Sequence, residues 1–167
     1  MAANLAVVIA AGVVVWLAVQ RLSPLPAPDA NVYVVGDKMD PVAGVDFHAS
    51  PRTLLMALRR DCQFCQDSVP FYKNLSEAVQ NGVDGGVRLV VVSTDPTVLL
   101  SAYLAKSGVR VDQVVATRPG ALRIPGTPFL ALINAAGIVE NVWRGRLADS
   151  QERQVFLALG LAFPELP

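Results

Sequence analysis

Cys62 and Cys65, in the run Arg59-Arg60-Asp61-Cys62-Gln63-Phe64-Cys65, are the only cysteines of the chain and the residues best suited to chemistry. Their Cys-x-x-Cys spacing follows an apolar run directly and precedes an amphipathic helical pattern. Two thiols so placed can close a disulfide across one helical turn. The first then sits at a helix N-terminus, where unpaired N–H groups and the helix dipole stabilise a thiolate. Thiol–disulfide exchange needs one such thiolate and a resolving thiol nearby. Cys62 is the candidate nucleophile, with Arg59 and Arg60 adding to its stabilisation and Asp61 opposing it. Cys65, one turn further in, is the candidate resolving thiol, shielded from solvent.

Other chemistries fit less well. A Cys-x-x-Cys pair can be half of a zinc site, but His48 is the only histidine and no further cysteine exists, so a metal would need carboxylates to complete its shell. A copper site fails for want of a second histidine. A peroxidase lacks the Pro/Thr-rich approach to a lone reactive cysteine. Neither a metal nor an organic cofactor is expected. Formal net charge is zero, which gives no electrostatic footprint for nucleic acid. Both cysteines fall in one motif, so no separate structural disulfide can form and cysteine usage leaves the redox compartment open. Trp143, Phe129 and Phe47 read as packing residues, Arg144 and Arg146 as solvated charges at a strand end, and Asp95 as a helix start. Phe64 suits packing and contact with a partner equally.

The elements that must position the pair alternate. Thr53–Leu58 is a continuous apolar run, as expected of a strand covered on both faces. A helix follows the cysteines to about Gln80, kinked at Pro70 and closed by Gly82 in a left-handed cap. Val87–Ser93 is rich in β-branched residues and reads as a second strand. Thr94-Asp95-Pro96 opens another helix, with Pro96 at its first position, and Gly108 ends it. Short strands are expected at Val32–Val35, Val45–Phe47 and Gln113–Ala116, and a helical turn at Arg118–Ile124. Phe129–Ile133 and Ile138–Arg144 form a hairpin around Asn134–Gly137. Asp149 and Glu152 have capping-box spacing and open a last helix from Ser150 to about Ala162.

The chain has 167 residues, of which 53% are hydrophobic. The excess concentrates before the Pro-rich segment. Leu5 to Val19 carries no polar side chain, and no charge precedes Arg21. A helix through residues 1–20 rises about 30 Å, enough to span a hydrocarbon core. Trp16 lies near its end, as suits an interfacial indole. The expected organisation is a membrane anchor at 1–21, a proline-rich extended linker at 22–30 and a domain at 31–167. A cleaved signal peptide is the competing reading, but the segment lacks an early cation and a good Ala-x-Ala site. Arg21 alone argues for a cytoplasmic domain. A tethered dithiol is more useful where disulfides form, which argues for the other side.

Taken together, residues 32–163 resemble the thioredoxin-like superfamily, and more narrowly the membrane-anchored, TlpA-type thiol–disulfide proteins of bacteria. Three features carry the resemblance: Cys62-Gln63-Phe64-Cys65 between strand and helix, Pro70 eight residues after the first cysteine, and Thr127-Pro128 opening the hairpin. The resemblance implies a thioredoxin-like three-layer α/β sandwich with a mixed central sheet, here preceded by one N-terminal transmembrane helix. It also implies a cis bond before Pro128. Thr127 and Pro128 would pack against the sulfurs and meet a partner peptide, with Phe64 beside them. The implied activity is disulfide reduction in extracytoplasmic proteins, fed by a membrane or soluble electron donor, in a single-pass protein of the inner membrane. A redox-inert adaptor on the same platform is the alternative. Two positions depart from the family's pattern. Asp61 stands where an aromatic residue is common. Met56, six residues before Cys62, stands where many members keep a buried acid that manages the second cysteine's proton.

Overall fold

The computed structural model describes residues 31–82 and 86–164, together with Gly12 and Trp16. Those two positions apart, the expected anchor at 1–21 and linker at 22–30 lie outside the described residues. Among the described residues no helix is long and apolar enough to cross a membrane.

Five strands form one sheet: β1 (Arg52–Ala57), β2 (Val87–Ser93), β3 (Gln113–Ala116), β4 (Phe129–Asn134) and β5 (Val139–Arg144). Their order is β3-β2-β1-β4-β5. β1 runs parallel to β2 and β2 to β3, whereas β4 is antiparallel to both of its neighbours. β1 is the centre, with Leu55 between Val90 and Ala131 and Met56 between Val91 and Leu130. Because successive side chains alternate, Leu54 and Met56 face one layer while Leu55 and Ala57 face the other. Both faces are covered, so the run shows no polar alternation.

Among residues 31–82 and 86–164, four helices accompany the sheet: α1 (Gln63–Asp67), α2 (Val69–Asn81), α3 (Thr97–Lys106) and α4 (Asp149–Ala158). The β1–β2 and β2–β3 crossovers advance in the same direction, so right-handed connections place α2 and α3 on one face. Leu75 of α2, Leu100 and Leu104 of α3 and Phe156 of α4 share a core with Leu54, Met56, Leu89 and Leu132. The opposite face is covered by irregular chain: Tyr33, Met39, Val42 and Phe47 from one side, Leu122 and Ile124 from the other. The third layer of the sandwich is therefore built without a regular helix.

Several local expectations give way to side-chain chemistry. Val32–Val35 is not a strand. Tyr33 is fully buried, its hydroxyl donating to Asp40 at 2.6 Å and its ring lying 4.3 Å under the Arg123 guanidinium. The chain then turns at Gly36, at φ +94°, and meets the sheet edge through an isolated bridge between Lys38 and Ile138 and through the Gly36 N–H, which donates to the Val139 carbonyl at 2.8 Å. In place of a strand at Val45–Phe47, Asp46 accepts the His48 N–H at 2.9 Å and starts a 3₁₀ turn over Phe47–Ala49. Arg118–Ile124 is not helical, because Pro119, Gly120 and Pro125 deny it donors and continuity; Gly120 sits at φ +73°. Pro96 lies at the N-cap of α3, one residue before the first helical position. Gly82 closes α2 at φ −65°, so its cap is not left-handed. α4 ends at Ala158, short of Ala162, and its start differs too. The Ala148 N–H is met by the Gln151 side chain at 3.1 Å, and Asp149 and Glu152 form no capping box.

Pro70 breaks the first helix more sharply than a kink. α1 stops at Asp67 and α2 starts at Val69, with Ser68 between them at φ −90°, ψ 1°. Proline has no N–H for the Gln66 carbonyl. The Ser68 N–H donates to the Gln66 and Phe64 carbonyls instead, and the Ser68 hydroxyl also donates to the Phe64 carbonyl, at 2.8 Å.

Candidate functional site

Cys62 is the N-cap of α1, with extended backbone at φ −87°, ψ 112°. Its Sγ accepts the main-chain N–H of Cys65 at 3.3 Å, the role a serine or aspartate oxygen plays in an ordinary cap. From the other side the Cys62 S–H donates to the Thr127 carbonyl, also at 3.3 Å. Both cysteines are free thiols; Cys62 is partly exposed and Cys65 is buried. The Thr127–Pro128 peptide bond is cis. Cys62, Cys65, Thr127 and Pro128 thus meet at one place although 65 residues separate the Cys62 sulfur from its Thr127 partner. Phe64 is 57% exposed and is not part of the core.

The two thiols are electrically unlike. Burial alone would raise the Cys62 thiol. Hydrogen bonds from the Cys65 and Thr127 side chains and from the Cys65 and Phe64 N–H groups outweigh it and hold the thiol below its ordinary value. Cys65 is pushed up to about 12, by burial first and then by its hydrogen bond with Cys62. Alkylation of the reduced protein should therefore rise with pH through a single titration, with its midpoint below the ordinary thiol value of about 8.5. Mass mapping should place the adduct on Cys62. Modification of Cys65 at neutral pH would contradict this ordering.

The arginines do not act on the sulfur as expected. Arg59 pairs with Asp61 at 2.6 Å, both exposed. Arg60 faces Asp95, its Nε 3.6 Å from the carboxylate and without a hydrogen bond. The local hydrogen bonds and the helix start do the work assigned to these charges. Asp95 is correspondingly not a helix cap: its carboxylate accepts the main-chain N–H of Arg60 at 2.8 Å.

Other candidates fall where packing predicts. Phe129 and Trp143 are buried, and Phe47 packs against the core on the Tyr33 face of the sheet. Arg144 is not simply solvated, since it donates to the Tyr33 carbonyl at 2.8 Å, and Arg146 pairs with Asp67 at 3.5 Å. His48 is exposed, and among the described residues no group of three or more His, Cys, Asp or Glu side chains could hold a metal. A cavity of about 230 Å³ opens beside Thr127, where the ends of β1 and β2 face residues 117–127; Leu58, Arg59, Val92, Thr94, Arg118 and Leu122 line it.

No family model and no curated protein matches the chain. Solved structures do. A thiol:disulfide interchange protein from Bacteroides sp. aligns with a TM-score of 0.59 at 17% identity, covering 78% of this chain and 92% of that one. The thioredoxin domain of a thiol-disulfide oxidoreductase from Bacteroides vulgatus gives a TM-score of 0.57 at 15% identity, covering 76% and 98%. A thiol:disulfide interchange protein of the thioredoxin family from Chlorobium tepidum gives 0.54 at 17% identity, covering 78% and 100%. The fold is thioredoxin-like α/β, with a mixed five-stranded sheet.

Proposed function

We propose that this protein is a thiol–disulfide oxidoreductase that reduces disulfides of extracytoplasmic proteins while tethered to the inner membrane by residues 1–21. The observation that carries the reading is the placement of Cys62: an N-cap thiol, accepting the Cys65 N–H and lying against the Thr127 carbonyl. The Cys62 thiolate attacks one sulfur of a substrate disulfide, forming a mixed disulfide and releasing one substrate thiolate, which takes up a proton. Cys65 then loses its proton and attacks Cys62, closing the Cys62–Cys65 disulfide and releasing the second substrate thiol. Two electrons pass to the substrate, and a membrane or soluble dithiol donor restores the pair. Extended partner chain would pair with the main chain of Thr127, where Pro128 has no competing N–H. The neighbouring cavity would take a side chain of that partner, and Phe64 would flank it.

Membrane attachment rests on the uncharged run from Leu5 to Val19 and on the extended linker after it. The domain at 31–167 would then stand clear of the bilayer. The test is insulin-disulfide reduction with dithiothreitol as donor, joined to a redox titration of Cys62 and Cys65 in glutathione and dithiothreitol buffers. Turnover with a potential near the reducing end of the known range, about −270 mV, is expected. A potential near −120 mV would reverse the direction of electron flow. Absence of turnover would leave a redox-inert adaptor.

A further inference from the structure

The residue that leads into the Cys62 site is held at both of its main-chain polar groups. The Arg60 N–H donates to the Asp95 carboxylate at 2.8 Å, and the Arg60 carbonyl accepts from the Gln66 side-chain amide at 2.6 Å. Asp95 is itself fixed. Its N–H donates to the Ser93 hydroxyl at 3.0 Å, and its side chain is only 14% exposed. The two holders come from different directions: Asp95 from the end of β2, across 35 residues, and Gln66 from the helix that Cys62 caps. The guanidinium adds a longer ion pair to the same carboxylate, its Nε 3.6 Å away, buried and without a hydrogen bond. An ion pair would not need the main chain, and here the main chain makes the short contact. Two residues on, Cys62 must keep its sulfur between the Cys65 N–H and the Thr127 carbonyl, each at 3.3 Å. A displacement of the loop at Arg60 would lengthen both contacts.

We propose that Asp95 is a positioning residue for thiol exchange: its carboxylate and the Gln66 amide clamp Arg60 and thereby hold the Cys62 sulfur in the cap of α1. The inference rests on the redox reading for its use, but the clamp itself can be tested without it. Asp95 touches neither sulfur; it acts through Arg60. A carboxylate, or any side-chain carbonyl oxygen of the same reach, serves the clamp, whereas a methyl group does not.

The experiment compares wild type with Asp95→Asn, Asp95→Ala and Gln66→Ala. It measures the pH profile of Cys62 alkylation by iodoacetamide and the rate of insulin-disulfide reduction. Asp95→Ala should move the alkylation midpoint towards the ordinary thiol value and slow exchange about tenfold, the scale of one hydrogen bond to a charged group. Asp95→Asn keeps an oxygen for the Arg60 N–H and should stay near wild type in both readouts. Gln66→Ala changes an exposed side chain, so the fold should survive, and it should shift the midpoint in the same direction as Asp95→Ala. The clamp is overturned if Asp95→Asn is as impaired as Asp95→Ala, which would make the charge the active feature. It is equally overturned if Gln66→Ala leaves the midpoint unmoved. Should wild type reduce no insulin, the redox reading fails, and the alkylation profiles still decide the clamp.

Discussion

Cys62→Ser should bring insulin-disulfide reduction down to the uncatalysed level, whereas Cys65→Ser should accumulate mixed disulfides. Serine in the cap would still accept the Cys65 N–H, so the helix start survives and only the nucleophile is lost. Cys65 cannot replace it. Cys65 is 3% exposed, and burial pushes its thiol up to about 12, so it is protonated at neutral pH. In the proposed cycle its task is intramolecular, where effective concentration compensates for a small ionised fraction. Without Cys65, a substrate disulfide attacked by Cys62 has no internal exit, and the adduct persists until an outside thiol reaches it. Non-reducing electrophoresis and intact mass should show the adduct on Cys65→Ser and none on Cys62→Ser. Equal trapping by both variants would reject the assigned roles.

The same electrostatics sets a sign for stability. The buried Cys65 thiol binds its proton more tightly in the folded chain than in the unfolded one. The reduced protein should therefore lose stability as pH rises from about 8.5 towards 12, the window in which only the unfolded thiol ionises.

What could be read from the residues was whatever repeats locally or is fixed by covalent chemistry. Val87–Ser93 and Gln113–Ala116 appear as strands at the expected bounds because β-branched runs carry their own preference. The cysteines, Pro70 and Thr127-Pro128 could be placed because each is tied to an element boundary. The irregular layer could not be placed. Residues 33–49 are held by scattered core side chains and by long-range polar contacts, such as Arg123 to Asp37 at 3.0 Å and Arg144 to the Tyr33 carbonyl. Such contacts leave no periodicity. The charges around the site failed for a related reason: neighbours in sequence say that Arg59, Arg60 and Asp61 are close, but not that Asp95 would take the Arg60 N–H.

Met56→Asp should cost about 3–5 kcal/mol, a large share of the 5–15 kcal/mol that holds a typical domain together. Met56 is 1% exposed, sits between Val91 and Leu130 in the sheet, and packs in the same core as Cys65, Leu54 and Leu75. An aspartate there loses the methionine's apolar contacts and enters a core of apolar side chains, where its neutral form is favoured. Its folded pKa is then raised above the unfolded value. The cost is smallest below about pH 4 and grows as pH rises from there towards the folded pKa. Denaturant titration at acidic and neutral pH measures both effects, with Met56→Leu as a control costing less than about 1.5 kcal/mol. Undiminished stability of Met56→Asp at neutral pH would show that the site already accommodates a charge. The comparison bears on the exchange cycle directly. With methionine at this position, no carboxylate in β1 takes the Cys65 proton, and in the proposed cycle that proton must pass to water or to a group outside β1. An aspartate that survives folding should shorten the lifetime of the Cys62 mixed disulfide even as the unfolding midpoint falls.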